Sequence, residues 1–159
     1  MEDGILMKNA VIIDLDDCLF DSRHLGKYLP SRADDREGWD LFQSKYQDCE
    51  VNTHIRVLVD GLWNDNVFLL FVTGREGCPK LKELTEEHIS YLYPNGYEIF
   101  FRPENDYRRA KDVKREIYYK HIKGKYNVLF AIDDDIENIK MFYKEGINTL
   151  HCRYGKKER

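Results

Sequence analysis

The sequence predicts a three-layer α/β domain: a central, mainly parallel five-stranded sheet between helices, with a small cap or lid inserted after the first strand. Three observations predict it. Short apolar runs rich in β-branched and aromatic residues recur along the chain, helix-length stretches separate them, and the polar stretch 19–50 is too long for a simple strand-to-helix loop.

The strands are read from these runs. Asn9–Asp14 is the first. Val67–Thr73, apolar on both faces, is the second, and Tyr97–Phe101 is a weaker third. Val128–Asp133 and Asn148–Cys152 complete the set. Runs without polar alternation suit parallel strands covered on both sides. Between them, helices are expected over Thr53–Asn64, Lys80–Leu92, Arg109–Lys123 and Ile136–Glu145. In the second, Leu81, Leu84, His88 and Leu92 form one stripe, Pro79 suits the first turn, and Pro94 closes the helix. Within the insertion a short helix is expected around Trp39–Tyr46, and Gly155-Lys-Lys-Glu-Arg159 reads as a polar tail.

The 159 residues suffice for one domain over 1–159 with a real core. A net charge of −4 argues against broad electrostatic binding to duplex nucleic acid, although a local basic pocket is compatible with it. Cys18, Cys49, Cys78 and Cys152 form no CxxC pair, so reduced thiols in a cytoplasmic protein are expected rather than a zinc site or disulfides. The acidic start, Met1-Glu-Asp-Gly, is unlike a signal peptide, and no run approaches a membrane span. The five histidines have no ligand spacing and read as packing or surface groups, and Tyr118 and Tyr119 read as core.

In an open parallel sheet, ligands bind beyond the carboxyl ends of the strands. The first tip carries Asp14-Leu-Asp-Asp17, the second Thr73-Gly-Arg75, and the fourth Asp133-Asp-Asp135, while Lys114 lies in the helix leading to that fourth strand. Two carboxylates about 4 Å apart repel by roughly 4 kcal/mol at an effective dielectric near 20, so such a cluster requires a cation, a shared proton or water. Taken singly, each segment reads as a solvated turn, a strand exit or an N-cap. Their conjunction at successive strand tips does not.

In that order the segments resemble the motifs of the haloacid dehalogenase superfamily: Asp14-x-Asp16, Thr73, Lys114 and Asp133-Asp134. The resemblance implies a Rossmann-like fold of the haloacid dehalogenase type. "TGREG", Arg102-Pro-Glu-Asn-Asp-Tyr-Arg108, the run Val113 to Ile122 and Ala131-Ile-Asp-Asp134 are similar, more narrowly, to the 3′-phosphatase domains of bacteriophage polynucleotide kinase-phosphatases. Trp39 and Phe42 look like part of the cap of those relatives. The chain departs from that family in Asp17-Cys18 where Gly-Thr is usual, and in Ala110 one helical turn before the lysine. No GxxxxGK[ST] loop occurs in these residues, so a phosphatase domain without the kinase half is expected.

The resemblance implies an Mg²⁺-dependent phosphomonoesterase acting through an aspartyl-phosphate, with a nucleic-acid 3′ end as substrate. Asp14 is the expected nucleophile and Asp16 the general acid and base. Thr73, Gly74 and Lys114 would hold the transferring phosphoryl group. Arg75, Arg102 and Arg108 would bind substrate, Arg23 and Arg32 are cap candidates, and Asp14, Asp16 (through its carbonyl), Asp133 and Asp134 would hold Mg²⁺. A small-molecule phosphatase or nucleotidase is the alternative. A receiver-like phospho-acceptor domain fits less well, since receivers place the acidic pair first and the lysine last. The sequence is compatible with self-association into a homo-oligomer.

Overall fold

The computed structural model describes residues 6–155; all but the first residue of the polar tail expected over 155–159 lies outside the described residues. Five parallel strands form the sheet in the order β5-β4-β1-β6-β7: β1 Lys8–Ile13, β4 Phe68–Glu76, β5 Tyr97–Arg102, β6 Tyr126–Asp133 and β7 Thr149–His151. β1 is central. From it the chain runs outward through β4 to β5, returns across the sheet, and continues outward through β6 to β7. The direction of winding reverses beside β1, at the switch point where α/β sheets open a crevice.

Each face of the sheet is covered by its own helices. Val11 and Ile13 point into a core shared with Ile55 and Val59 of α2 (Thr53–Asn64) and Ile89 of α3 (Pro79–Leu92). Ala10 and Ile12, alternate along the same strand, face Val113 and Ile117 of α4 (Ala110–Ile117) and Met141 and Phe142 of α5 (Ile136–Lys144). The period-2 alternation of β1 thus feeds two cores, which is why its run is apolar throughout.

Two expectations shift. The inward face of α3 is Leu81, Thr85 and Ile89, with Leu84 and His88 half-buried beside it, because Thr85 turns inward to accept a hydrogen bond from Arg75 Nη1 at 3.1 Å. The helix expected to run to Lys123 leaves α-geometry after Ile117 and finishes in a five-residue π-helical turn, Tyr118–Ile122. Tyr118 is buried there, whereas Tyr119 is exposed and donates its hydroxyl to Glu145.

The insertion leaves and rejoins the core through two short antiparallel strands, β2 Phe20–Asp21 and β3 Glu50–Val51, with Phe20 paired to Val51 and Asp21 to Glu50. Between them lie a 3₁₀ helix at Arg23–Tyr28, α1 Arg36–Gln43 and a 3₁₀ turn at Tyr46–Asp48. The helix starts three residues before the sequence expectation of Trp39, because Asp35 caps it by accepting from the Gly38 N–H at 2.9 Å. Leu25 and Tyr46 seat the insertion on Leu81 of α3. Its polar anchor is Glu76, the last residue of β4, which accepts from Arg36 Nη1 at 2.8 Å and Gln43 Nε2 at 3.3 Å. Among the described residues no helix is long and apolar enough to cross a membrane.

Candidate active site

Asp14 follows β1 directly, its N–H donating to Ile132 O at 3.0 Å, and Asp133 ends the neighbouring β6. The parallel register therefore delivers both carboxylates to one point. Lys114 of α4 reaches them from the covering layer: Nζ lies 2.6 Å from Asp14 Oδ1 and 2.7 Å from Asp133 Oδ2, with the lysine only 2% exposed. Asp133 also accepts from Asn138 Nδ2 at 3.1 Å and from the Asp135 N–H at 3.0 Å. Asn138 is buried on α5. The sequence reading did not single it out, and the available signal was an amide in the first turn of a helix that begins just after the acidic triplet.

Lys114 does not balance the charge. One carboxylate oxygen from each of Asp14, Asp133 and Asp134 lies within 4.8 Å of the others. Burial, then repulsion from Asp133, raises the Asp14 carboxyl well above its ordinary range against the pull of Lys114. Burial also pushes Asp134 up to about 6, with Asp133 adding to the effect. For Lys114, burial opposes the charged form, but Asp133 and Asp14 more than offset it and the ammonium is held. A converging set of hard oxygen donors with surplus negative charge suits Mg²⁺. The donor set fits the metal.

Asp16 points elsewhere. Its carboxylate is gripped by Arg75, Nε to Oδ2 at 3.0 Å and Nη2 to Oδ1 at 2.7 Å, outside the three-carboxylate cluster. The remaining Arg75 nitrogen donates to Thr85, and its guanidinium lies over the Tyr46 ring at 4.0 Å. Each side-chain nitrogen of Arg75 thus has a partner inside the protein, and the residue also lines the cavity under the insertion. Thr73 is buried, and its Oγ1 accepts the Arg75 N–H at 3.1 Å, which leaves its own proton to donate. The register between β4 and β5 slips between Val72 and Glu76, so Thr73, Gly74 and Arg75 lie in an irregular stretch at the strand tip.

Of the other arginines, Arg108 is exposed and paired with Asp106 and Glu116, and Arg32 is paired with Asp34. Arg23 pairs with Asp21 and stacks on Tyr154 at 3.5 Å. Arg102 has no carboxylate partner in hydrogen-bond contact among the described residues. It donates to the carbonyls of Gly74 (3.1 Å), Asp106 (2.9 Å) and Arg108 (2.7 Å). Asp17 adopts φ 58°, a left-handed conformation that favours glycine, and its carboxylate accepts from the Ser22 N–H and hydroxyl.

A doubly covered parallel sheet with these motifs at its carboxyl edge defines a phosphatase of the haloacid dehalogenase superfamily. The polynucleotide kinase PNKP phosphatase domain family matches residues 8–156, and the chain belongs to that family. Among solved structures, it resembles a chain of the Pnkp1/Rnl/Hen1 RNA repair complex at 25% identity and TM-score 0.72, covering 94% of this chain and 43% of that one. A second structure of the Pnkp1/Rnl/Hen1 complex gives 25% identity and TM-score 0.72 over 96% of this chain and 48% of that one. The chain therefore spans less than half the length of those relatives. The fold alone is shared with the class C acid phosphatase of Bacillus anthracis, at 14% identity and TM-score 0.57 over 90% of this chain and 63% of that one. No curated protein matches the sequence.

Proposed function

We propose that the domain is an Mg²⁺-dependent phosphomonoesterase that removes the 3′-phosphate from a nucleic-acid end. The observation that carries the reading is the buried Asp14–Lys114–Asp133 arrangement with Asp134 beside it. Membership of the PNKP phosphatase domain family supports the nucleic-acid end as substrate.

Asp14, Asp133 and Asp134, with the carbonyl of Asp16, would hold Mg²⁺, which when bound screens the phosphate dianion from the carboxylates. A carboxylate oxygen of Asp14 forms the new bond to phosphorus while the bond to the sugar oxygen breaks. The departing oxygen keeps that electron pair and takes a proton from Asp16. Asp16 then accepts a proton from water, whose oxygen displaces Asp14 from phosphorus and releases phosphate. Arg75 holds Asp16 by two hydrogen bonds outside the three-carboxylate cluster, so both transfers require the Asp16 carboxyl to turn from that grip toward the phosphate. The Thr73 hydroxyl, the Gly74 N–H and the third Lys114 donor supply hydrogen bonds to the transferring phosphoryl oxygens. Arg102 is the cation for a neighbouring phosphodiester.

The test is phosphate release from 3′- and 5′-phosphorylated oligonucleotides, mononucleotides and small esters, with and without Mg²⁺. Hydrolysis confined to 3′ ends in the presence of Mg²⁺ is expected; equal rates on all esters would remove the assignment. A second reading, a small-molecule phosphatase or nucleotidase, draws support from the pairing of Arg75 and Arg108 within the protein, which leaves few cations for a polyanion. A weak salt dependence on oligonucleotide ends would favour it.

A further inference from the structure

Between the insertion and the tip of β4 lies a cavity of about 200 Å³. Trp39 and Gln43 of α1 line one side, Arg102 at the end of β5 and Tyr107 beyond it another, and Gly74 lines it as well. Gly74 follows Thr73, so the space begins one residue from the phosphoryl-binding position. Its volume is below the roughly 300–1,000 Å³ of sites that enclose a whole ligand, a size that suits one moiety of a larger substrate.

Two polar groups here are unspent. Gln43 is 8% exposed, and its Nε2 donates to Glu76. That contact fixes the amide, because turning it over would set its oxygen against a carboxylate. Oε1 is consequently buried with no donor among the described residues. A buried acceptor without a donor costs folding free energy, which a ligand N–H in the cavity would recover. The second group is Arg102 Nη2, which has no hydrogen-bond partner among the described residues and would lie 3.9 Å from a Cβ added at Gly74. Burial lowers the proton affinity of this guanidinium, and the nearby carboxylates of Asp106 and Glu76 offset that only in part. Trp39 and Tyr107 add aromatic surface of the kind on which bases stack.

We infer that this cavity is the subsite for the terminal nucleobase of a 3′-phosphorylated strand, with Trp39 as stacking wall, Gln43 Oε1 as acceptor for a base N–H, and Arg102 Nη2 at the adjoining phosphodiester. The assignment rests on the 3′-phosphatase reading above. Gln43 and Trp39 are specificity groups and take no part in bond making.

The experiment compares wild-type kinetics on three 3′-phosphorylated oligonucleotides that differ only at the last residue: thymidine, N3-methylthymidine and an abasic tetrahydrofuran. The thymidine end should exceed the abasic end by about tenfold or more in kcat/KM, chiefly through KM, with the methylated end between them. Gln43→Leu should bring the thymidine and methylated ends to the same value, and Trp39→Ala should shrink the gap to the abasic end. Equal wild-type rates on all three ends would overturn the subsite while leaving the 3′-phosphatase reading intact. So would folded Gln43→Leu and Trp39→Ala proteins that keep the full discrimination. Failure to cleave any of the three, with hydrolysis of small esters retained, would overturn the 3′-phosphatase reading and the subsite with it.

Discussion

Lys114 and Asp133 meet at 2.7 Å with side chains 2% and 2% exposed, and Arg32 and Asp34 of the insertion meet at the same 2.7 Å with side chains 75% and 67% exposed. Equal distance conceals unequal energetics. The exposed pair is worth about 0–1 kcal/mol, because water and salt screen it and two long side chains must be held still. In the buried site each charge has lost its water, and breaking one partner away leaves another uncompensated. Depth, not separation, decides which contact the fold and the chemistry depend on.

That contrast can be attacked by mutation, starting with the largest effect. Asp14→Asn should lower phosphate release by about 10³-fold or more with an unchanged circular dichroism spectrum; retained turnover would remove Asp14 as nucleophile. Lys114→Met should cost about 3–5 kcal/mol of stability without divalent ions, and Mg²⁺ should raise the melting temperature of this variant more than that of wild type. Identical metal-free melting of the two proteins would show that the lysine offsets nothing.

The third effect is one of pH. Asp134 titrates near 6 in the folded chain against an ordinary 3.8, so between these values the folded state holds a proton that the unfolded chain has released. Metal-free stability should therefore fall as pH rises from about 4 through 6. Affinity for Mg²⁺ should move the opposite way, weakening about tenfold per pH unit below 6 for each proton displaced. Calorimetric titration at pH 5 and pH 7.5 measures it, and equal affinities would contradict the raised carboxyls. The smallest change is expected at the surface: Arg32→Ala should leave melting within about 0.5 kcal/mol and KM unaltered, and a raised KM would bring Arg32 into substrate contact.

How far these regions could be read from sequence follows the same division. Strands that are buried on both faces advertise themselves, and carboxylates that recur at the tips of successive apolar runs have few structural explanations when taken together, so the sheet and the segments bearing Asp14, Asp133 and Lys114 were legible. The bounds of α2 agree with the reading because its apolar spacing is set locally. What escaped depends on partners remote in the chain. β2 and β3 are two residues each and exist only through each other. Thr85 is inward because Arg75 needs an acceptor, and Gln43 is buried because Glu76 anchors the insertion. The grip of Arg75 on Asp16 links positions 59 apart in sequence and left no local signal. Tyr119 faces water because the π-helical turn rotates the end of its helix.

The ladder of Phe20 with Val51 and Asp21 with Glu50 brings both ends of the insertion to adjacent backbone positions. A segment attached in this way can be exchanged for one of another length or composition with little disturbance to the scaffold, as a tool head is changed on a fixed shank. Chimeras joined at residues 21 and 50 that keep Tyr46, which lies over Arg75, would then graft new substrate preferences onto the same sheet.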